Sequence, residues 1–130
     1  MKQPIYTFLI LFVSTLLSCA IIRAHEPDMK TTTKEKAIEI ANIESKSLGY
    51  DLGILSVKAT KYNTPWNEYL PKDSNDTYYV EKIDKLKNRE YWAVYYYPDR
   101  EKVGVGYKGG DFCIFIDTST REIVTYILWK

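Results

Sequence analysis

The last twenty residues, Asp111 to Lys130 (DFCIFIDTSTREIVTYILWK), constrain this chain more than any other stretch. Phe112, Ile114 and Ile116 alternate with Cys113, Phe115 and Asp117, while Ile123, Thr125, Ile127 and Trp129 alternate with Val124, Tyr126 and Leu128. A period of two is the signature of a strand. The polar run Asp117-Thr118-Ser119-Thr120-Arg121 between them reads as a turn. Near their middles both strands are apolar on both faces, which predicts that they lie at the centre of a sheet rather than at its rim. Such a sheet needs cover on two sides, and the rest of the chain has to provide it.

A helix is the first candidate for that cover. Thr31 to Thr33 precede Lys34-Glu35-Lys36, and Thr32 with Glu35 has capping-box spacing. The helix is expected to run to about Leu48 and to end at Gly49, with Ala37, Ile38, Ile40, Ala41, Ser45 and Leu48 on its apolar face. A single helix of this kind cannot bury its own stripe, so it must lie on the sheet. Residues Asp51 to Tyr62 follow as a strand, with Leu55, Val57 and Ala59 alternating against Ser56, Lys58 and Thr60. The segment Asn63 to Asn88 is broken by Pro65, Pro71 and the polar cluster around Asp73, yet carries Trp66, Tyr69, Leu70, Tyr78 and Tyr79. A short helix or strand near Tyr79 to Leu86 is compatible with it. Within it, Asn75-Asp76-Thr77 has the glycosylation-acceptor pattern, read as a chance match.

Arg89 to Tyr97 (REYWAVYYY) is dominated by aromatic and β-branched residues and is expected to be a strand stopped by Pro98. If Trp92, Val94 and Tyr96 face one way, Tyr91, Ala93, Tyr95 and Tyr97 face the other. The second face is then either covered by the segment 63–88 or left as a tyrosine-rich recognition surface, since tyrosine offers large contact area and a polar tip at little entropic cost. On the second reading, Trp66, Tyr69, Tyr95, Tyr97 and Tyr107 are the candidate partner contacts. Asp99 to Gly110 (DREKVGVGYKGG) reads as a flexible hairpin connection with a bulge at Gly109-Gly110. Its glycines have neither GxGxxG nor Walker spacing, and they do not open a helix, so a phosphate cradle is not expected there.

The N-terminus has a different purpose. Lys2 precedes an uncharged apolar run, Ile5 to Ser18, of the length of a signal-peptide core. Leu16-Leu17-Ser18-Cys19 has the form of a lipobox, in which a cysteine becomes the new N-terminus and carries acyl chains. The chain therefore divides into a signal peptide of lipoprotein type (1–18), a tether (19–33) and a single domain (34–130), with Cys19 as the lipid attachment site and the membrane reached through that anchor. Cleavage after Ala20 or Ala24 would instead leave a periplasmic or secreted protein. Retention of Ile5 to Ile22 would give an anchor barely long enough to span. Each of these places the domain outside the cytoplasm.

The same inventory excludes several chemistries. With 18 Lys+Arg against 17 Asp+Glu, no charge imbalance points to nucleic acid as a partner. The single histidine, His25, lies in the tether, so neither a Cys-His pair with Cys113 nor a metal site built on His25, Glu26 and Asp28 is expected, and no cofactor is. Cys113, inside an apolar strand, reads as a small buried hydrophobe. The domain's strand acids Glu90, Asp111, Asp117 and Glu122 all sit at strand ends, where turn and solvent roles suffice. A binding protein without enzymatic activity fits this inventory best.

Short stretches also carry a resemblance. Lys34 to Ala41 (KEKAIEIA), Tyr91-Trp92-Ala93-Val94, Gly109-Gly110, and Phe115-Ile116-Asp117-Thr118 with Glu122-Ile123-Val124 resemble small exported bacterial domains of the nuclear-transport-factor-two fold described as immunity proteins of polymorphic toxin systems. They are also similar to PepSY-type domains, which share a lead helix and a terminal strand pair. Arg121 departs from both patterns by standing where glycine is expected. Both resemblances imply an α+β domain, with one N-terminal helix packed on a curved antiparallel sheet of about four strands in the cone-like, cystatin-like arrangement. The first implies a cell-envelope protein that binds and blocks a cognate toxin. The second implies an inhibitory, regulatory or structural envelope lipoprotein.

Overall fold

A computed structural model describes residues 31–67, 76–104, 106 and 110–129. The expected signal peptide, Cys19, most of the tether, Tyr69, Tyr107, Gly109 and the Asn75 of the glycosylation-like triplet lie outside the described residues. Helix α1 spans Lys34–Ser47, and the sheet comprises β1 (Leu55–Tyr62), β2 (Tyr91–Pro98), β3 (Phe112–Asp117) and β4 (Ile123–Leu128). The strands are antiparallel to their neighbours and lie in the order β1-β2-β3-β4. This is the α+β arrangement expected from the sequence, a lead helix on a four-stranded antiparallel sheet.

The helix begins one residue later than the capping-box spacing predicts. Thr33 is the N-cap, its hydroxyl oxygen accepting the Lys36 amide at 3.3 Å. Thr32 is instead buried and docks the chain onto the sheet. Its amide and hydroxyl both donate to the Thr118 carbonyl, at 2.7 and 2.8 Å, and its own carbonyl accepts the Trp92 indole N–H at 2.8 Å. Buried polar groups of this kind have to be paired, and Thr32 pairs two at once. At the other end the Tyr50 amide reaches the Ser45 carbonyl and the Gly49 amide reaches Lys46, both at 3.0 Å. This double closure requires a left-handed residue, and Gly49 supplies it at φ +90°.

Strand β3 is buried at all six positions, in keeping with its place inside the sheet. Strand β4 corrects the sequence reading, because it lies at the rim. Its apolar character serves a different cover. A second helix, α2 (Thr77–Asp84), capped by Asp76, packs against β4. Its Tyr78 hydroxyl accepts the Leu128 amide at 3.3 Å, and its Lys82 ammonium sits 4.4 Å from the Tyr126 ring centre. An edge strand is thus covered by a helix, one of the ways proteins protect such edges. Val124 is the extra residue of a bulge, since Phe115 pairs with Thr125 while Ile116 pairs with Ile123.

Two other expectations are adjusted. Residues 51–54 form a 3-10 turn (Leu52–Ile54) capped by Asp51 before β1 begins. The start of the glycine-rich connection is one helical turn, α3 (Arg100–Val103), capped by Asp99.

Both sheet faces are covered in part, giving two apolar layers. Beneath α1, Ala37 and Ala41 meet Val94, Tyr96, Phe112, Ile114 and Ile116. Small residues on the helix allow close approach, and Tyr50, Phe112 and Tyr96 fill the remaining space as a three-ring stack with centroid separations of 3.9 and 4.6 Å. On the opposite face Trp66 and Leu86 cover Tyr91, Ala93, Cys113, Phe115 and Ile127. Trp66 and Leu86, from the described parts of the segment 63–88, therefore cover part of the second face of β2.

Candidate functional site: an aromatic shelf at the end of the second sheet face

A run of ring contacts leads from the second apolar layer to the surface. Tyr91 packs edge-on to Phe115, Phe115 to Trp66, Trp66 to Trp129 and Trp129 to Tyr95, with centroids 5.0 to 5.9 Å apart. Tyr95 then stacks on Tyr97 at 5.6 Å. Exposure rises along it: Tyr91 is fully buried, Tyr95 and Trp129 are half-buried, and Tyr97 is 38% exposed. The outer three rings form a shelf at the end of β2.

The register explains why these residues share a surface. Ser56 pairs with Tyr97 and Lys58 with Tyr95, so the four lie on one face. Trp129 joins them from the end of β4, its amide donating to the Asp111 carbonyl at 3.1 Å. The Tyr95 hydroxyl donates to Asp111 Oδ2. Asp111 thereby fixes both a tyrosine and the main chain beside the tryptophan, which holds the shelf in one arrangement. Pre-ordered aromatic side chains lose little entropy on binding.

The candidate contacts divide accordingly. Tyr95 and Tyr97 belong to the shelf. Trp66 is 2% exposed and is a core residue, so the expectation that it offers contact area is corrected. Sequence reasoning overlooked Trp129 as a shelf member, because strand alternation alone presents it as one more inward residue. It also overlooked Lys58, an exposed residue directly across the β1–β2 pair from Tyr95.

Of the strand-end carboxylates, Asp111, Asp117 and Glu90 are engaged in structure. Burial acts to raise Asp117, but the Ser119 hydroxyl at 2.7 Å, the Thr120 and Ser119 amides at 3.0 and 2.9 Å, and Arg89 at 3.0 Å outweigh it and hold its carboxyl at about 2. A carboxylate held this way is a turn anchor, unlike a general acid, whose pKa must be raised. Glu90 is drawn below its ordinary range by Lys61 at 2.8 Å and then by the Thr118 hydroxyl at 3.1 Å. The hollow beside Asp117, about 500 Å³, is open to solvent and is bordered by Lys87, Arg89, Glu90 and Thr120. Among the described residues there is no group of three His, Cys, Asp or Glu that could hold a metal ion. Cys113 is fully buried, as its strand position predicts. Among the described residues, no helix is long and apolar enough to cross a membrane.

No protein-family model, curated protein or solved structure matches the chain.

Proposed function

We propose that this chain is a non-enzymatic binding protein of the bacterial cell envelope, exported, anchored by lipid on Cys19, and engaging a protein partner through the Tyr95–Tyr97–Trp129 shelf. The observation that carries the reading is the ordered, partly exposed ring cluster at the end of β2, bounded by Lys58 and braced by Asp111. Aromatic residues of this kind dominate protein interfaces, where large rings anchor and their hydroxyls orient. The anchored acids Asp117 and Asp111 support binding over catalysis. Of the roles that a binding domain could fill, neutralisation of a cognate toxin is the one that the first resemblance of Lys34–Ala41 and the terminal hairpin implies; the second implies an inhibitory, regulatory or structural envelope role.

Co-expression with a large secreted toxin encoded beside the gene tests this. Survival with the wild-type chain, lost with Tyr97→Ala and retained with Ile43→Ala on the exposed back of α1, is expected. A neighbouring toxin whose lethality is unaffected, or the absence of any such neighbour, would overturn the immunity reading.

A further inference from the structure

Strand β1 is the second rim of the sheet; among the described residues no strand pairs with its outer edge, which is exposed at Val57 and Lys61 while Ala59 is buried. The Asp99 amide donates to the Ile54 carbonyl at 2.9 Å, and the register from Leu55↔Pro98 to Tyr62↔Tyr91 runs without a shift. Hydrogen-bonded and non-bonded pairs alternate in an antiparallel ladder. Residues 56, 58, 60 and 62 therefore turn their main-chain groups toward β2, and residues 55, 57, 59 and 61 turn theirs outward. Pro98 fits this phase, since it pairs with Leu55 at a position where the ladder needs no amide from it. Among the described residues nothing bonds to the outward groups of Val57 and Ala59. The β4 rim is covered by α2, whereas Val57 on the β1 rim is 40% exposed.

Side chains along this edge differ by face. Val57 points to the α1 side as an exposed apolar residue. Lys58 lies on the shelf side, paired with Tyr95, and makes no ion pair among the described residues. We propose that the partner adds an extended segment to the outer edge of β1, with side chains that alternate between apolar residues against Val57 and a carboxylate against Lys58. The inference rests on the shelf being a protein-binding surface and extends that surface across Lys58 to the sheet edge. Main-chain bonds would supply affinity and the alternating side chains selectivity, as in other strand-addition complexes. A second copy of this chain fits poorly. Pairing β1 with itself through its outward residues sets Lys58 opposite, or diagonal to, the other copy's Lys58, and like charges so placed repel.

The test uses the exported full chain and a displayed library of random twelve-residue peptides. Enriched peptides are expected to alternate apolar residues with Asp or Glu and to protect the Val57 amide from hydrogen exchange. Val57→Pro removes one outward amide at an edge position that tolerates proline, and binding should weaken about tenfold. Lys58→Glu should weaken it comparably and shift selection toward basic residues; it carries the test if Val57→Pro does not fold. Peptides lost on Tyr97→Ala but indifferent to both edge variants would overturn the edge and leave the shelf standing. No enrichment over the unselected library, or a dimer that protects the Val57 amide, would also overturn the proposal.

Discussion

Replacing Asp117 with asparagine keeps the size of the side chain and removes the charge that organises the β3–β4 turn. In the folded protein that carboxylate receives two amides, one hydroxyl and the Arg89 guanidinium, and its side chain is only 8% exposed. Its pKa stands at about 2, against an ordinary 3.8. Because the folded value is depressed, the carboxylate favours folding at any pH above the ordinary value. That contribution is lost as pH falls from about 4 toward 2. A difference of this size is worth about 2 kcal/mol. Urea unfolding of wild type and Asp117→Asn between pH 7 and pH 2 should show a gap of that order at neutral pH, closing as the solution is acidified. Subtracting the two curves removes the contribution of Glu90 and the other acids, to the extent that they are independent of Asp117. A gap that stays constant with pH would refute the assignment of the turn's stability to this charge.

Further expectations follow from single features. Burial pushes the Tyr91 and Tyr96 hydroxyls up to about 12, so stability held below pH 10 should fall between pH 10 and 12, and Tyr91→Phe should lessen that loss in alkaline unfolding. Gly49→Ala places a side chain at φ +90° in the α1 terminus and should cost about 1 kcal/mol by thermal unfolding. Thr125 Oγ1 is buried without a hydrogen-bond partner, so Thr125→Val should raise the urea midpoint by about 1 kcal/mol of stability. Cys19→Ala should move the protein from the membrane to the soluble fraction, and unchanged fractionation would remove the lipid anchor from the account.

Local patterns reached some of these features and missed others for identifiable reasons. The alternation in Phe112–Asp117 and the aromatic density of Tyr91–Pro98 marked β3 and β2 directly, since both strands are packed from two sides. Alternation could not place β4 in the sheet. A strand covered by a helix at its edge reads like one flanked by two strands, and Tyr78 and Lys82 provide that cover from a remote part of the sequence. Thr32 and Thr33 are equally good caps by composition; the choice between them was made by the buried Thr118 carbonyl and the Trp92 indole, groups remote in sequence. Arg121 stands in for an expected glycine and adopts the left-handed conformation itself, at φ +64°. In the shelf, Tyr95 and Tyr97 were legible from their spacing on one strand. Trp66 was not legible as core, because its burial depends on Phe115 and Trp129 across the sheet.

The shelf can be interrogated without knowing its partner. A photo-crosslinking amino acid placed at position 97 of the full chain in its native cells should yield one discrete adduct of higher mass, while the same group at position 43, on the exposed back of α1, should yield none. Adducts at position 43 with none at position 97 would contradict the assignment of partner binding to the aromatic end of the sheet.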